Sequence, residues 1–475
     1  MRGRIGRLAA AAVMMGAAAA QDAPADASPD PLMPEEVAAS AARHYPEVVA
    51  ALAERRGAAA DLLTARGAFD TVFSVDANTR AAGFYDGRYA EAKVERAFGP
   101  LGARAYGGYR ISRGDYPIYE NENFTNESGE AVVGVIFSLL RDRVIDERRF
   151  GIRDANLALR QADLELLLTR IGVQQRALLA YYAWVEAGQE LEVFRDLLAL
   201  AETRQVALER QVARGAAARI TLTENAQNLT RRAARVASAE RDVILAANAL
   251  SLFYRGPSGA PIAPPVAALP EAVPLPPDVV DADMPAILTQ RPDLAALRIA
   301  VERAQGRVEL AENTLRPRLD VGVEAGQDFG PVGEGGETFD EGELKFGLTF
   351  EMPLGNRAAR GRRALAGAEL SRVEAEARFA RDRIGAELRD VIAKLAAARR
   401  LVDLAALEVG QAEAMAAAEA KRFAQGASDF FLVNLREEAL ADARIRYATA
   451  ILALNAARTT YDAAVLDQTR LGLTP

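Results

Sequence analysis

A chain of 475 residues with one histidine and no cysteine has little with which to do covalent chemistry. His44, beside Tyr45, is the only imidazole, so Ser/His/Asp and Cys/His arrangements lack their partners, as do metal sites built on His or Cys. Carboxylates are plentiful, 66 Asp and Glu against 58 Lys and Arg, but they alternate with arginine on helical patterns. Such a distribution reads as a solvated surface rather than an acid/base pair. No catalytic residue, cofactor or metal is expected. The polar spacing that stands out follows two glycines: Arg214-Gly215-Ala216 precedes Thr221 and Glu224, and Gln425-Gly426-Ala427 precedes Ser428 and Asp429. Thr221 with Glu224 three residues later has the form of a capping box, and Ser428 or Asp429 that of an N-cap, so both glycines are expected to end one helix just before another begins.

The elements around these turns occur twice. No proline lies between Ile118 and Gly256 or between Leu354 and Thr474. Within these intervals apolar residues step by three and four: Leu164, Leu168, Ile171, Leu178 and Val185 in the first, Val373, Ala380, Ile384, Leu388, Leu395 and Val402 in the second. Such 3.5-residue steps predict long supercoiling helices, and ~70 residues at ~1.5 Å each reach about 100 Å. The order of strand, long helix reversing at its glycine, and returning helix is expected near 131–253 and again near 344–466. Earlier helices are expected over Pro34 to Arg66 and from Pro292 to about Leu315. From Pro257 to Pro285 prolines recur too densely for a helix and mark an extended linker.

Ahead of each long helix the period falls to two. Leu344, Phe346, Leu348, Phe350 and Met352 alternate with Lys345, Gly347, Thr349 and Glu351, a run matching the ~9 to 11 residues of a tilted membrane strand. Leu319, Val321, Val323 and Ala325 are its expected partner, with the loop Gly330 to Gly342 between them. The first half shows Phe73, Val75 and Ala77, and later Val133, Val135, Phe137 and Leu139. Between these lies a stretch the second half lacks. Residues 88–98 and 102–113 also alternate and are expected to form a hairpin turning near Gly99-Pro100, either within a barrel or capping it. A soluble β-sandwich shows the same alternation strand by strand; its repetition beside long helices favours a barrel.

Arg2, Arg4 and Arg7 precede an apolar run from Leu8 to Ala20 that ends in Ala18-Ala19-Ala20, the pattern of a secretory signal cleaved near Ala20. The run is short for a membrane anchor, and no later segment is apolar enough for a spanning helix. If the mature chain crosses a membrane it does so as a closed barrel. Half the residues are hydrophobic and 6% aromatic, enough for a large, alanine-rich helical core. The net charge of −8 without a basic face argues against nucleic acid as a partner.

The expected fold class is α+β and mostly α, a long antiparallel coiled-coil helical barrel with a transmembrane β-barrel and an internal two-fold repeat. The expected divisions are a signal peptide (1–20), a flexible lead (21–34), repeat 1 (35–256), the linker (257–285) and repeat 2 (286–475). The chain resembles the TolC-like outer-membrane efflux protein family. The resemblance rests on Gln290-Arg291-Pro292-Asp293-Leu294, on the strand-to-helix junctions Leu139-Leu140-Arg141-Asp142 and Pro353-Leu354-Gly355-Asn356, and on the Gly215 and Gly426 tips.

This resemblance implies a homotrimer in the outer membrane of a Gram-negative bacterium, with a long periplasmic tunnel that receives a periplasmic adaptor (membrane fusion) protein and an inner-membrane transporter. It is a passive conduit with no enzymatic activity, and its barrel meets outer-membrane lipid. Arg214, Gly215, Ala216, Gln425, Gly426 and Ala427 become the implied adaptor contacts. With one strand pair per repeat, three protomers close about twelve strands; with the extra hairpin, more. The family often carries acidic residues six and nine positions after each tip glycine, where three copies can narrow the mouth. Here these positions hold Thr221 and Glu224 in one repeat and Leu432 and Leu435 in the other, so an implied gate rests on Thr221 and Glu224. The alternative from another class is a periplasmic adaptor or coiled-coil scaffold, expected to carry one hairpin flanked by compact β domains.

Overall fold

The structure is a computed structural model that describes residues 30–279, 283–332, 341–467, 470, 471 and 473. The expected signal peptide and most of the lead, residues 280–282 of the linker and most of the loop between Gly330 and Gly342 lie outside the described residues. Proline shapes the start. In place of one helix from Pro34 to Arg66 there are two, α1 (Pro34–His44) and α2 (Pro46–Arg66). Pro46 cannot donate a backbone hydrogen bond and forces Tyr45 out of the helical region, to φ −72 and ψ 131. The freed Tyr45 ring stacks on Phe253 with centroids 5.0 Å apart.

Six strands follow the period-two segments: β1 (Val72–Thr79), β2 (Arg88–Ala97), β3 (Arg104–Arg113), β4 (Glu130–Ser138), β5 (Arg318–Asp328) and β6 (Glu343–Glu351). They form one sheet in chain order, every neighbour antiparallel. The extra hairpin lies inside this sheet, between β1 and β4, with its turn at residues 98–103.

Between β4 and β5 the chain leaves the sheet through α3 (Glu147–Ala213) and α4 (Ile220–Ser251), then returns through α5 (Met284–Gln290) and α6 (Pro292–Asn313). After β6 come α7 (Arg357–Ala424) and α8 (Phe430–Val465). At 67 and 68 residues, α3 and α7 each extend about 100 Å.

The buried positions of α7 include Val373, Ala380, Ile384, Leu388, Leu395, Ala398 and Val402, the expected 3.5-residue stripe. In α3 that stripe is buried at Ile171, Leu178, Val185 and Leu208, but so is a second face at Val173, Ala177, Tyr181 and Trp184. The reason is packing on two sides: α3 meets α1, α2 and α4 as well as α6 and α8, whereas α7 packs chiefly on α8 and α6. Trp184, Val37, Val48, Leu191 and Leu250 meet at the centre of this core. Each such side chain contributes on the order of 2 kcal/mol on burial.

The proline-rich segment is tied across these helices. Leu32 N–H donates to the Ala268 carbonyl at 2.9 Å, Arg458 Nη1 to the Pro277 carbonyl at 2.9 Å, and Leu269 lies over Gly188 of α3. A side chain at Gly188 has to displace Leu269, since an added Cβ would stand 2.3 Å from Leu269 Cδ1.

Candidate functional site

Both long helices end in the same way. Arg214 and Gln425 are the last residues near helical geometry, and Gly215 and Gly426 follow at φ +71 and +73. Ala216 N–H reaches back to the Gln211 carbonyl at 2.8 Å and Gly215 N–H to Val212 at 3.0 Å; Ala427 and Gly426 repeat the pair on Arg422 and Phe423 at 2.9 and 3.0 Å. This reciprocal closure is the Schellman motif, and it uses glycine because a Cβ at positive φ meets the following carbonyl. Arg204 of α3 touches both Asn434 and Phe430 of α8, so the two turns lie at the same end of the helical bundle.

The restart after each turn differs. Asp429 caps α8, its Oδ1 accepting from Leu432 N–H at 2.8 Å. The capping box expected at Thr221 is absent: Arg219 stands at the N-cap of α4 without a side-chain bond, and the Thr221 hydroxyl donates to the Ala218 carbonyl from inside the first turn. Because α4 already begins at Ile220, Thr221 is its second helical residue rather than its N-cap, past the position from which it could accept. Glu224 is therefore not held as a capping acid; it is exposed on α4, while Leu435, at the equivalent place in the other hairpin, is exposed on α8.

Sequence reasoning missed two polar groups beside the tips. Glu419 is buried, accepting from the Ser428 hydroxyl and from Arg422 Nη1. Farther in, Glu437 of α8 lies between Arg204 of α3 and Arg232 of α4. Arg232 is 1% exposed, donates to the Leu197 carbonyl at 2.7 Å and to Glu437 at 3.0 Å, and burial pulls its guanidinium down to about 10. It stays charged at neutral pH, and the cluster joins the first helical hairpin to the second. A signal existed in the sequence: Asn225 and Arg232 fall seven apart and in step with the apolar Ala239, two polar residues on an apolar seam.

The sheet divides by face. Strand pairing places Phe73, Val94, Gly107, Val133, Ala325 and Leu344 in one row across all six strands. Neighbouring rows on that face hold Val75, Tyr109, Val135, Phe346 and Leu348. These side chains are left open: Phe73 is 67% exposed, Val133 63% and Phe346 72%. The opposite face carries Asp76, Glu91, Lys93, Arg110, Glu324 and Lys345. The edge strands β1 and β6 are exposed along their whole length, one row of backbone hydrogen-bonding groups unpaired on each. Among the described residues no helix is long and apolar enough to cross a membrane, and no cluster of His, Cys, Asp and Glu is placed to hold a metal ion.

Turn lengths differ between the two ends of the sheet. Residues 98–103 make a short turn at the helical end, and Gly102 packs so close to Asp142 that a Cβ would stand 2.6 Å from its carbonyl oxygen. Residues 80–87 and 114–129 connect strands at the far end, where β5 also ends and β6 begins. A short turn on one side and longer loops on the other is the pattern of outer-membrane barrels.

Residues 284–467 match the family described as outer membrane efflux protein. The fold is similar to that of a membrane protein from Pseudomonas aeruginosa, with 16% identity, 93% of this chain and 94% of that one covered, and a TM-score of 0.65. It is also similar to VceC from Vibrio cholerae (17%, 91% and 95%, 0.63) and to the CmeC outer membrane channel of Campylobacter jejuni (13%, 91% and 85%, 0.63). No curated protein sequence matches the chain. Residues 284–467 thus match the outer membrane efflux protein family, and the chain as a whole shares the fold of the CmeC channel and of VceC.

Proposed function

We propose that this chain is the outer-membrane channel of a tripartite efflux or secretion system, a passive conduit leading from a periplasmic helical tunnel to the exterior. The observation that carries this reading is the sheet: one face apolar and exposed from edge to edge, both edges unpaired, joined at one end to helices about 100 Å long. An open sheet edge is not tolerated in hydrocarbon, because each unpaired backbone group there costs several kcal/mol. Closure needs further copies of the chain, and a homotrimer is the assembly that the resemblance supports. In a six-stranded antiparallel sheet β1 and β6 run in opposite directions, so β6 of one copy meets β1 of the next in antiparallel register.

On this reading the tips are the periplasmic mouth. Arg214, Gly215, Ala216, Gln425, Gly426 and Ala427 form the surface offered to a periplasmic adaptor, which connects the tunnel to an inner-membrane transporter. Opening is a movement of the tip hairpins. The gate proposed at Thr221 and Glu224 consists of one exposed carboxylate per chain, since Leu432 and Leu435 occupy the matching positions of the second repeat. The division into two repeats joined by residues 257–285 supports this arrangement, each half supplying wall, tunnel and one tip. The test is fractionation of the native protein followed by reconstitution in a planar bilayer. Trimers from the outer membrane that conduct ions are expected; a soluble periplasmic monomer that forms no pores would overturn the reading.

A further inference from the structure

We infer that the hairpin β2–β3 forms two further staves of the membrane wall in each chain, so that three copies close an eighteen-stranded barrel whose added apolar face meets lipid acyl chains. The inference rests on the trimeric channel reading above and adds to it the number of strands and the contact made by residues 88–113.

Three observations carry it. First, the hairpin interrupts the sheet rather than decorating it: β2 pairs with β1 from Val72↔Glu95 to Thr79↔Arg88, and β3 pairs with β4 from Arg104↔Ile136 to Arg110↔Glu130. Removing it as a cap would leave β1 and β4 without partners on their facing edges. Second, its side chains follow the polarity of the rest. Val94, Tyr109 and Ile111 lie on the apolar face and are 43%, 45% and 38% exposed, while Glu91, Lys93 and Arg110 lie on the polar face. A cap in water has no cause to keep such a face continuous with that of β4 to β6, whereas a lipid-facing wall requires it.

Third, the polar face is stitched across the junction. Lys93 of β2 sits 4.7 Å from the centre of the Tyr106 ring of β3. That ring lies over Gly134 of β4, where a Cβ would stand 2.4 Å from Tyr106 Cζ, and its hydroxyl donates to Glu324 of β5. Glu324 in turn is 3.8 Å from Lys345 of β6. One chain of contacts on the lumen side thus runs from the hairpin to the far edge, and the glycine beneath the aromatic ring is the device that lets it cross β4.

With strands ~4.8 Å apart and tilted ~40°, eighteen strands enclose a backbone diameter of about 36 Å, against about 24 Å for twelve. A barrel of this size leaves an aqueous channel after side chains are placed. The wider outlet is lined by both signs of charge, with Glu91, Lys93 and Arg110 from the hairpin.

The chain has no cysteine, so single cysteines can report each face of the wall in the full-length trimer. Val94→Cys and Glu91→Cys probe β2; Phe346→Cys and Thr349→Cys serve as the reference in β6. Each is labelled with a fluorophore and reconstituted into vesicles containing nitroxide-bearing lipid, then exposed to aqueous iodide. The expected result is lipid quenching at positions 94 and 346 and iodide quenching at 91 and 349. If position 346 is quenched by lipid but 94 only by iodide, the hairpin stands outside the wall and the eighteen-stranded barrel is wrong while the channel stands. If neither 94 nor 346 meets lipid, the channel reading itself fails and takes the inference with it. A cross-section of the trimer by electron cryomicroscopy, counting eighteen strands or twelve, gives an answer free of substitution.

Discussion

Replacing Glu437 by Gln keeps its shape and removes the carboxylate that, alone among the described residues, pairs with both Arg204 and Arg232. The ion pairs are largely shielded: the side chains of Arg204 and Glu437 are each 12% exposed and that of Arg232 is 1%. Breaking a buried pair by removing one partner costs about 3–5 kcal/mol, because the remaining charge stays desolvated. Here two guanidinium groups are stranded, but each keeps a neutral acceptor. Arg204 retains Asn434 Oδ1 at 2.7 Å and Arg232 the Leu197 carbonyl at 2.7 Å, which places the cost near the lower bound, about 3 kcal/mol. Since ~1.4 kcal/mol is a tenfold change in an equilibrium constant, local opening of α8 from α3 and α4 should become roughly 100-fold more frequent. Hydrogen exchange read on peptides covering 197–208, 228–236 and 430–441 measures that opening directly. Glu438→Gln is the control, because its partner Arg231 is half exposed and such pairs are worth ~1 kcal/mol or less. Equal protection in the two variants would refute the reasoning, as would a loss below about fivefold at position 437. Arg204→Met, Arg232→Met and Glu437→Leu combined should recover most of the protection, since an apolar replacement strands no charge.

Gly215→Ala and Gly426→Ala should each cost roughly 1–2 kcal/mol, because both positions are left-handed and open to solvent, so the penalty is backbone strain without a clash; faster proteolysis confined to the mutated tip is the readout. Gly188→Ala should lower thermal stability by about 1–3 kcal/mol through its clash with Leu269, and adding Leu269→Ala should return part of the loss; a purely additive double mutant would rule out the contact as the cause. Asp154 receives Arg303 Nε at 2.8 Å and Nη2 at 2.9 Å, and this hydrogen bonding holds its carboxyl below the usual range. A depressed folded value means stability present above the unfolded pKa of ~3.9 and lost as pH falls through the folded one. Urea titrations between pH 5 and pH 2 should therefore show a steeper acid-side decline for the native chain than for Asp154→Asn, by about 1–2 kcal/mol.

Much of the fold was legible because it is written in local terms. Proline-free intervals and 3.5-residue steps marked α3 and α7, and positive-φ glycines marked where they turn, since helix continuation and reversal depend on neighbours along the chain. Alternation likewise assigned both faces of β6 and the apolar faces of β1, β4 and β5. Two local signs were misread. Pro46 breaks the first helix although its position in the sequence announces it, and Thr221 starts no capping box because α4 begins two residues earlier than the motif requires.

Local patterns along the chain set the repeated order of strands and helices, the glycine turns and the scarcity of groups that could make or break bonds. Which surfaces those elements share was settled by packing between distant parts of the chain. The second buried face of α3, the meeting of Arg204, Arg232 and Glu437, and the entry of β2 and β3 into one continuous sheet all join residues far apart in the chain. Alternation states that a strand has an apolar side but not which strand lies beside it. Pairing is settled by backbone hydrogen bonds and by contacts such as Tyr106 over Gly134, where a side chain absent from one strand makes room for one on the next.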